Sequence, residues 1–300
     1  MTLLAGIDGG QSSTLAAIGD ATTTLARGLG PPADLVGESR DSERGERALH
    51  AALDAALDRA KLSRSTTFDA LVAGISGFDA GLSHVPDFAA RASRVRVLHD
   101  TEIAHAGALD GAAGIVVIAG TGSVALGNDE ARAAFVRAGG WGFFFGDEGS
   151  ALWVARTALR RAMTRYDRAE PSALADAALA YFAAESLREL QHAFAHGELA
   201  RPLLAGFAGD VLAVAAKGDR DAREVQTAAA SELADLVRTV DARLPPAAWR
   251  YVSYAGGLFA DAAFVDAFGD ALMDVLPHAN LVPPAHDPAG GALLLARQLA

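Results

Sequence analysis

The run Ile115-Val116-Val117-Ile118-Ala119 drives straight into Gly120-Thr121-Gly122-Ser123, and a second short apolar segment, Val124-Ala125-Leu126-Gly127, follows. A β-branched run that meets glycines predicts a buried strand, a tight turn and a returning strand. Glycine lets the backbone come close to a ligand. The turn amides, with the Thr121 and Ser123 hydroxyls, form a concave donor cluster suited to phosphate. The same device opens the chain, where Leu3-Leu4-Ala5-Gly6-Ile7-Asp8 meets Gly9-Gly10-Gln11-Ser12-Ser13-Thr14 and Leu15-Ala16-Ala17-Ile18-Gly19 follows. Two such hairpins predict two related half-structures facing one nucleotide.

The rest of the chain supports a repeated α/β module. Strands are expected at 3–8, 13–19 and 22–27, then a helix from Ser42 to Lys61 with Leu49, Leu53 and Leu57 on one face. Further strands are expected at 68–76 and 94–99, and a helix at 102–109. The second half restarts the order with strands at 114–119, 123–127 and 132–138. Residues 151–245 have an almost wholly helical pattern, broken at Pro171, Gly197, Pro202, Gly206, Gly209 and Gly218, and read as a helical insertion. A strand returns at Arg250–Ala255, an edge-like strand at Asn280–Pro284, and Pro288 opens a last helix. The expected division is 1–110, completed by helix 288–300, and 111–287.

Composition narrows the function. A net charge of −11 over 300 residues, with no Lys/Arg-rich run, argues against a nucleic-acid surface. The absence of cysteine excludes disulfides, thiolate zinc sites and cysteine-ligated iron–sulfur clusters. The first residues lack a basic segment followed by a long apolar core, and no apolar run is long enough to span a bilayer. The expectation is therefore a cytoplasmic protein without membrane or nucleic-acid partners.

Four places could carry chemistry. Asp8 stands just before a glycine turn, where a carboxylate would repel phosphates unless Mg²⁺ lay between them; it could equally cap the turn. Asp100 follows the strand Val95-Arg96-Val97-Leu98-His99, at the strand end where α/β sheets bind ligands. There it could be a general base toward a hydroxyl that attacks a γ-phosphate, or simply the N-cap of the next helix. His99 could compete for the role of base. The segment 139–150 holds five glycines and four aromatics in twelve residues, Gly139-Gly140-Trp141-Gly142-Phe143-Phe144-Phe145-Gly146-Asp147-Glu148-Gly149-Ser150. An apolar platform with carboxylates at its edge suits a sugar, and an aromatic core loop would read the same way. Gly256-Gly257 after the late strand could admit adenine or ribose, or serve as a packing turn.

Together these motifs resemble the sugar kinase, heat-shock cognate and actin superfamily, and within it the BadF/BadG/BcrA/BcrD ATPase family, which includes N-acetylglucosamine and glucosamine kinases. The resemblance rests on Gly6-Ile7-Asp8-Gly9-Gly10, Gly74-Ile75-Ser76-Gly77, His99-Asp100, Ile118-Ala119-Gly120-Thr121-Gly122-Ser123, the 139–150 loop and Ala255-Gly256-Gly257. It implies duplicated ribonuclease H-like (actin-like ATPase) modules, two lobes around a nucleotide cleft. The implied activity is ATP-dependent phosphorylation of a sugar 6-hydroxyl. Asp100 would be the base and Asp8 the metal ligand. Gly9, Gly10, Gln11, Ser12, Gly120, Thr121, Gly122 and Ser123 would line the phosphates, and Gly256 and Gly257 would lie at adenosine. Ser76, Gly140, Trp141, Gly142 and Asp147 would face the sugar. The resemblance also implies a homodimer.

Two departures from the family pattern bear on substrate. Gln11-Ser12-Ser13-Thr14 replaces the usual Gly-Thr-Lys-Thr after the first glycines. Asp34 stands where many relatives place an Asn on the sugar; it could accept from hydroxyls or pair with an ammonium, which keeps free glucosamine open. The activator ATPases of the family use cysteine-ligated clusters, which this chain cannot hold. Two rivals are a sugar- or nucleotide-binding regulator and an ATPase acting on a non-sugar partner. The known regulators carry a DNA-binding segment ahead of the first phosphate motif, which here begins within ten residues.

Overall fold

Strand β1 (Leu4–Gly9) shows how this chain builds its first sheet. Ala5 and Ile7 point to one face and pack with Leu49, Leu53 and Leu57 of α1 (Arg44–Arg59). Leu4 points to the other face and packs with Ile103 of α2 (Asp100–Ala108) and with Ala292 and Leu293 of α9 (Pro288–Leu299). Successive strand residues alternate between faces, so Asp8, in step with Leu4 and Gly6, belongs to the α2/α9 face. Gly6 is required there: a Cβ would lie 2.1 Å from the Leu293 nitrogen. With both faces covered, the strand needs a nearly continuous apolar sequence, which explains its composition.

The coordinates are a computed structural model, and they describe residues 2–33, 43–78, 85–129 and 134–300. β1 lies with β2 (Thr14–Gly19), β3 (Thr24–Gly30), β4 (Ala70–Ile75) and β5 (Val95–His99) in the order β3-β2-β1-β4-β5. β1, β2 and β3 form an antiparallel meander, and β4 and β5 are parallel to β1. The second sheet holds β6 (Gly114–Ala119), β7 (Ser123–Asn128), β8 (Val136–Gly139), β9 (Arg250–Ala255) and β10 (Ala279–Leu281), in the order β10-β9-β6-β7-β8. Counted within its own half, each sheet runs third, second, first, fourth, fifth. This is the duplication that the two hairpins predict.

The chain divides into two compact units, Met1–Val116 with Pro283–Ala300, and Val117–Val282. Between β8 and β9, the second unit inserts α3 (Ala151–Asp167), α4 (Ala173–Phe182), α5 (Leu187–Ala195), α6 (Arg201–Ala216) and α7 (Arg220–Asp241). Ser150, Ser172, Ser186 and Asp219 each accept a backbone N–H at a helix start, which sets where four of these helices begin. α7 packs on β7 and β8, and α8 (Ala262–Val275) packs on α7. None of the described helices is long and apolar enough to cross a membrane.

Element boundaries depart from the sequence expectation in places. β3 runs 24–30 rather than 22–27, because Asp20 ties Thr22 and Thr23 into a turn by accepting both amides. β8 begins at Val136 rather than 132; residues 130–133 lie outside the described residues, as does Ser42 ahead of α1. α2 begins at Asp100, two residues early, because His99 supplies the cap.

Candidate functional site

In the first unit the parallel register fixes what meets at the strand ends. Asp8 lies opposite Gly74, and Ile75 lies opposite His99. One step further on come Ser76 and Asp100. The Ser76 amide donates to the Gly9 carbonyl at 2.8 Å, and Ser76 is buried. Asp8, Ser76 and Asp100 are thus carried to the carboxyl ends of three neighbouring parallel strands, where open α/β sheets take ligands.

The electrostatics of this corner are unusual. Burial pushes the Asp8 carboxyl up to about 7, and the nearby Asp100 and Asp287 charges add to the rise. Asp100 is not the N-cap of α2. His99 caps the helix, its Nδ1 accepting the Thr101 amide at 3.3 Å. Asp100 therefore stands at the first helical position with its side chain released from capping. Its Oδ1 is buried and accepts no hydrogen bond. The close neighbour is His99 Nδ1, at 2.6 Å.

Asp287 was not singled out from sequence. It caps α9 by accepting the Gly290 amide at 2.8 Å and pairs with Arg27 of β3. The signal was present: Asp287-Pro288 is an N-cap followed by proline at the first helical position. Among the described residues, no three carboxylates or imidazoles come close enough to chelate an ion unaided. A cation here would be held by Asp8 with waters and phosphate oxygens, as Mg²⁺ prefers. A buried Asp8 carboxyl pushed up by its own burial and by the Asp100 and Asp287 charges fits such an ion.

The first hairpin closes with the Gly10 amide donating to the Ser13 carbonyl at 3.0 Å. The amides of Gln11 and Ser12 have no partner among the described residues. Asp34 lies outside the described residues.

In the second unit the hairpin Gly120-Thr121-Gly122 joins β6 to β7, closed by the Gly120 amide on the Gly122 carbonyl at 3.0 Å. Asp147 docks onto it. Its carboxylate accepts the Ser123 amide at 3.3 Å and also a backbone N–H from Gly142, while burial is the larger influence and pushes the carboxyl up. A Cβ at Gly122 would sit 2.8 Å from Asp147 Oδ1, so the approach needs glycine there. Ser123 is buried, and its hydroxyl donates to the Glu148 carbonyl at 2.6 Å. The Gly140 amide donates to the Ser123 carbonyl at 2.9 Å. Asp147, held at φ +63°, thus fastens the aromatic loop to the phosphate-type turn. Trp141, Phe144 and Phe145 project from that loop, 76%, 85% and 86% exposed. Gly256, at φ +102°, packs against the end of β6, where a Cβ would meet the Ala119 carbonyl oxygen at 2.4 Å. Gly257 opens a 3-10 turn directly after it.

The structure therefore gathers the expected residues into two groups, one in each unit: Asp8, Gly9, Gly10, Ser76 and Asp100, and Gly120–Ser123, Gly140, Gly142, Asp147 and Gly256.

Comparison with known proteins gives these groups a context. The model of the BadF/BadG/BcrA/BcrD ATPase family matches residues 5–296. An N-acetylmuramic acid/N-acetylglucosamine kinase of Clostridium acetobutylicum is 31% identical over 208 residues, 68% of this chain and 67% of that protein. The solved structure of a candidate N-acetylglucosamine kinase from Chromobacterium violaceum aligns over 99% of both chains at 27% identity, with a TM-score of 0.80. A ROK family glucokinase from Streptomyces griseus, solved with glucose and AMPPNP, shares the fold at 17% identity over 99% of both chains, with a TM-score of 0.64.

Proposed function

The chain belongs to the BadF/BadG/BcrA/BcrD ATPase family, and we propose that it is an ATP-dependent kinase acting on the 6-hydroxyl of an amino sugar of the N-acetylglucosamine or glucosamine class. The kinase assignment draws on the relatives, which are named as kinases of N-acetylated amino sugars. The choice of base rests on one observation: Asp100 directly follows the parallel strand β5, and its buried Oδ1, not spent on capping, has as its close neighbour only the His99 Nδ1 at 2.6 Å.

Phosphoryl transfer asks a protein for positioning and charge stabilisation more than for covalent chemistry. Asp100 accepts the proton of the sugar hydroxyl as that oxygen attacks the γ-phosphate. A base that removes the proton in the transition state contributes about 10²–10⁴-fold. Asp8 would hold Mg²⁺ directly or through water, and the bound ion would neutralise phosphate charge. The unpartnered amides of Gln11 and Ser12 and the glycine turn at Gly120–Gly122 donate to phosphate oxygens. Asp147 keeps the second turn and the aromatic loop in register, and Trp141 offers its exposed ring to the sugar's C–H face.

A coupled ADP-release assay with glucosamine, N-acetylglucosamine, N-acetylmuramic acid and glucose at equal concentration tests the reading. One of the amino sugars is expected to raise ADP release at least tenfold above the sugar-free rate, and its 6-deoxy analogue to be inert. A folded, ATP-binding protein that no sugar stimulates overturns the kinase reading. An active 6-deoxy sugar overturns the choice of hydroxyl.

A further inference from the structure

In a chain of net charge −11, α3 and its C-cap carry five arginines: Arg156, Arg160, Arg161, Arg165 and Arg168. Arg161 and Arg165 are held by Asp221, Glu224 and Glu170. Arg156 and Arg160 pair with no carboxylate among the described residues, and both are exposed. They stand at the mouth of a cavity of about 190 Å³ whose wall includes Phe143, Leu159, Met163, Leu190 and Phe194. The Arg156 guanidinium lies 5.6 Å from the centre of the Phe143 ring. Arg160 also borders a second cavity, of about 430 Å³, whose lining combines Arg161, Arg165 and Arg168 with Glu170 and Asp221. Together these features place an apolar slot beside the two guanidiniums, Arg156 and Arg160, that pair with no carboxylate among the described residues.

From this arrangement we infer that the helical insertion binds a single-chain amphiphile with an anionic head, its alkyl chain in the apolar cavity and its phosphate or carboxylate on Arg156 and Arg160. The cavity wall is almost wholly apolar, so it favours a hydrocarbon occupant. Its volume is below the roughly 300–1,000 Å³ of drug-sized pockets. A short alkyl chain suits a slot of this size. Each buried methylene raises affinity roughly fourfold. The head adds charge-assisted hydrogen bonds to guanidiniums that have no other carboxylate to satisfy. Phe143 belongs to the same loop as Asp147, which fastens to Ser123. An occupant touching Phe143 therefore also restrains the aromatic loop. The inference rests on the second unit's own side chains and does not depend on the kinase reading.

Isothermal titration of the whole protein with hexyl phosphate, hexanoate, hexanol and inorganic phosphate tests it without turnover. Both anionic amphiphiles are expected to bind with one-to-one stoichiometry, at least tenfold more tightly than hexanol or phosphate alone. Intrinsic fluorescence should change, since Trp153 lies one residue from the cavity-lining Leu152. The double variant Arg156→Gln/Arg160→Gln should lose at least tenfold for hexyl phosphate, with hexanol binding and Tm unchanged. Met163→Trp should block both compounds by filling the slot. The proposal is overturned if no probe binds, if hexanol matches hexyl phosphate, or if the double variant binds hexyl phosphate normally. It is also overturned if anionic vesicles bind while free hexyl phosphate does not. Ultracentrifugation showing a dimer that Phe194→Asp dissociates would assign the face to a second copy of the chain instead.

Discussion

The two sheets share one strand order, yet their strand ends carry opposite chemistry. In the first unit, Asp8 directly precedes the glycine turn and Asp100 follows the fifth strand, giving a corner rich in negative charge. In the second unit Ala119 stands before Gly120, and the fifth strand ends at Leu281, followed by Val282 and two prolines. What the second unit presents instead is backbone: a glycine turn, a glycine at positive φ against it, and a carboxylate that faces inward to hold the loop. A duplicated scaffold thus presents carboxylates at the strand ends of one unit and backbone amides at those of the other. Substitutions that move one side toward the other show how far the division matters.

The largest effect is expected where the first unit has a group with no counterpart in the second. Asp100→Asn keeps the shape and removes the base, so kcat should fall by roughly 10²–10⁴ while ATP affinity, measured by titration, stays within about twofold. Near-normal turnover would remove Asp100 from the chemistry and leave His99 as the candidate. The same substitution at Asp147 should change kcat far less, because that carboxylate positions a loop.

Next comes Asp8→Asn, which makes the end of β1 resemble the uncharged end of β6. In the unfolded chain Asp8 titrates near 3.8, and in the fold it is pushed up to about 7. The folded state therefore holds this proton longer than the unfolded one. The stability it contributes is complete below about 4 and is lost as pH rises toward 7. At about 1.4 kcal/mol per pH unit the loss is at most about 4 kcal/mol. In chelator-treated protein, Asp8→Asn should flatten the fall in Tm between pH 4 and 7 and raise Tm at pH 8. Added Mg²⁺ should stabilise the parent and leave the variant unmoved. An identical pH profile in both would show that Asp8 is not the buried titrating group.

Much of this division was legible in the sequence. Apolar runs ending in glycine located β1, β6 and both turns, because a fully covered strand must be apolar throughout and a tight turn needs glycine. Asp100 was legible as a strand-end residue, but whether it capped the helix was not. The sequence offers Asp100 itself as the cap, and only the backbone entering α2 shows that His99 does the capping. The inward role of Asp147 was hidden for a related reason. It depends on a left-handed φ of +63° and on contacts across 24 residues, neither of which has a local pattern. Asp287 joins the first corner from 279 residues beyond Asp8, a distance over which spacing arguments carry no information.

On the amide side, Gly256→Ala is the corresponding stroke. The new Cβ would meet the Ala119 oxygen at 2.4 Å, on a backbone at φ +102°. Strain of this kind costs about 1–3 kcal/mol, read as a lower Tm and a raised KM for ATP. Hydrogen exchange should quicken in β6 and β9 and stay unchanged in β1, β4 and β5. Faster exchange in the first unit as well would show that the change is not confined to the amide side.

The smallest expected effect separates two duties of His99. Its Nδ1 accepts the Thr101 amide at 3.3 Å and lies 2.6 Å from Asp100 Oδ1. A nitrogen that accepts has no proton to donate, so capping the helix and donating to Asp100 cannot be satisfied together. His99→Ala removes both and should cost about 1 kcal/mol, the usual worth of a cap, or about 2–4 °C in Tm. Asn is a good cap without an imidazole, so His99→Asn should restore the Tm. If capping is the main duty, kcat in His99→Asn stays within a few-fold of the parent. If kcat instead falls toward that of Asp100→Asn while Tm is restored, the imidazole serves the carboxylate. The negative corner then works as a His99–Asp100 pair, an arrangement with no equivalent at the end of β10.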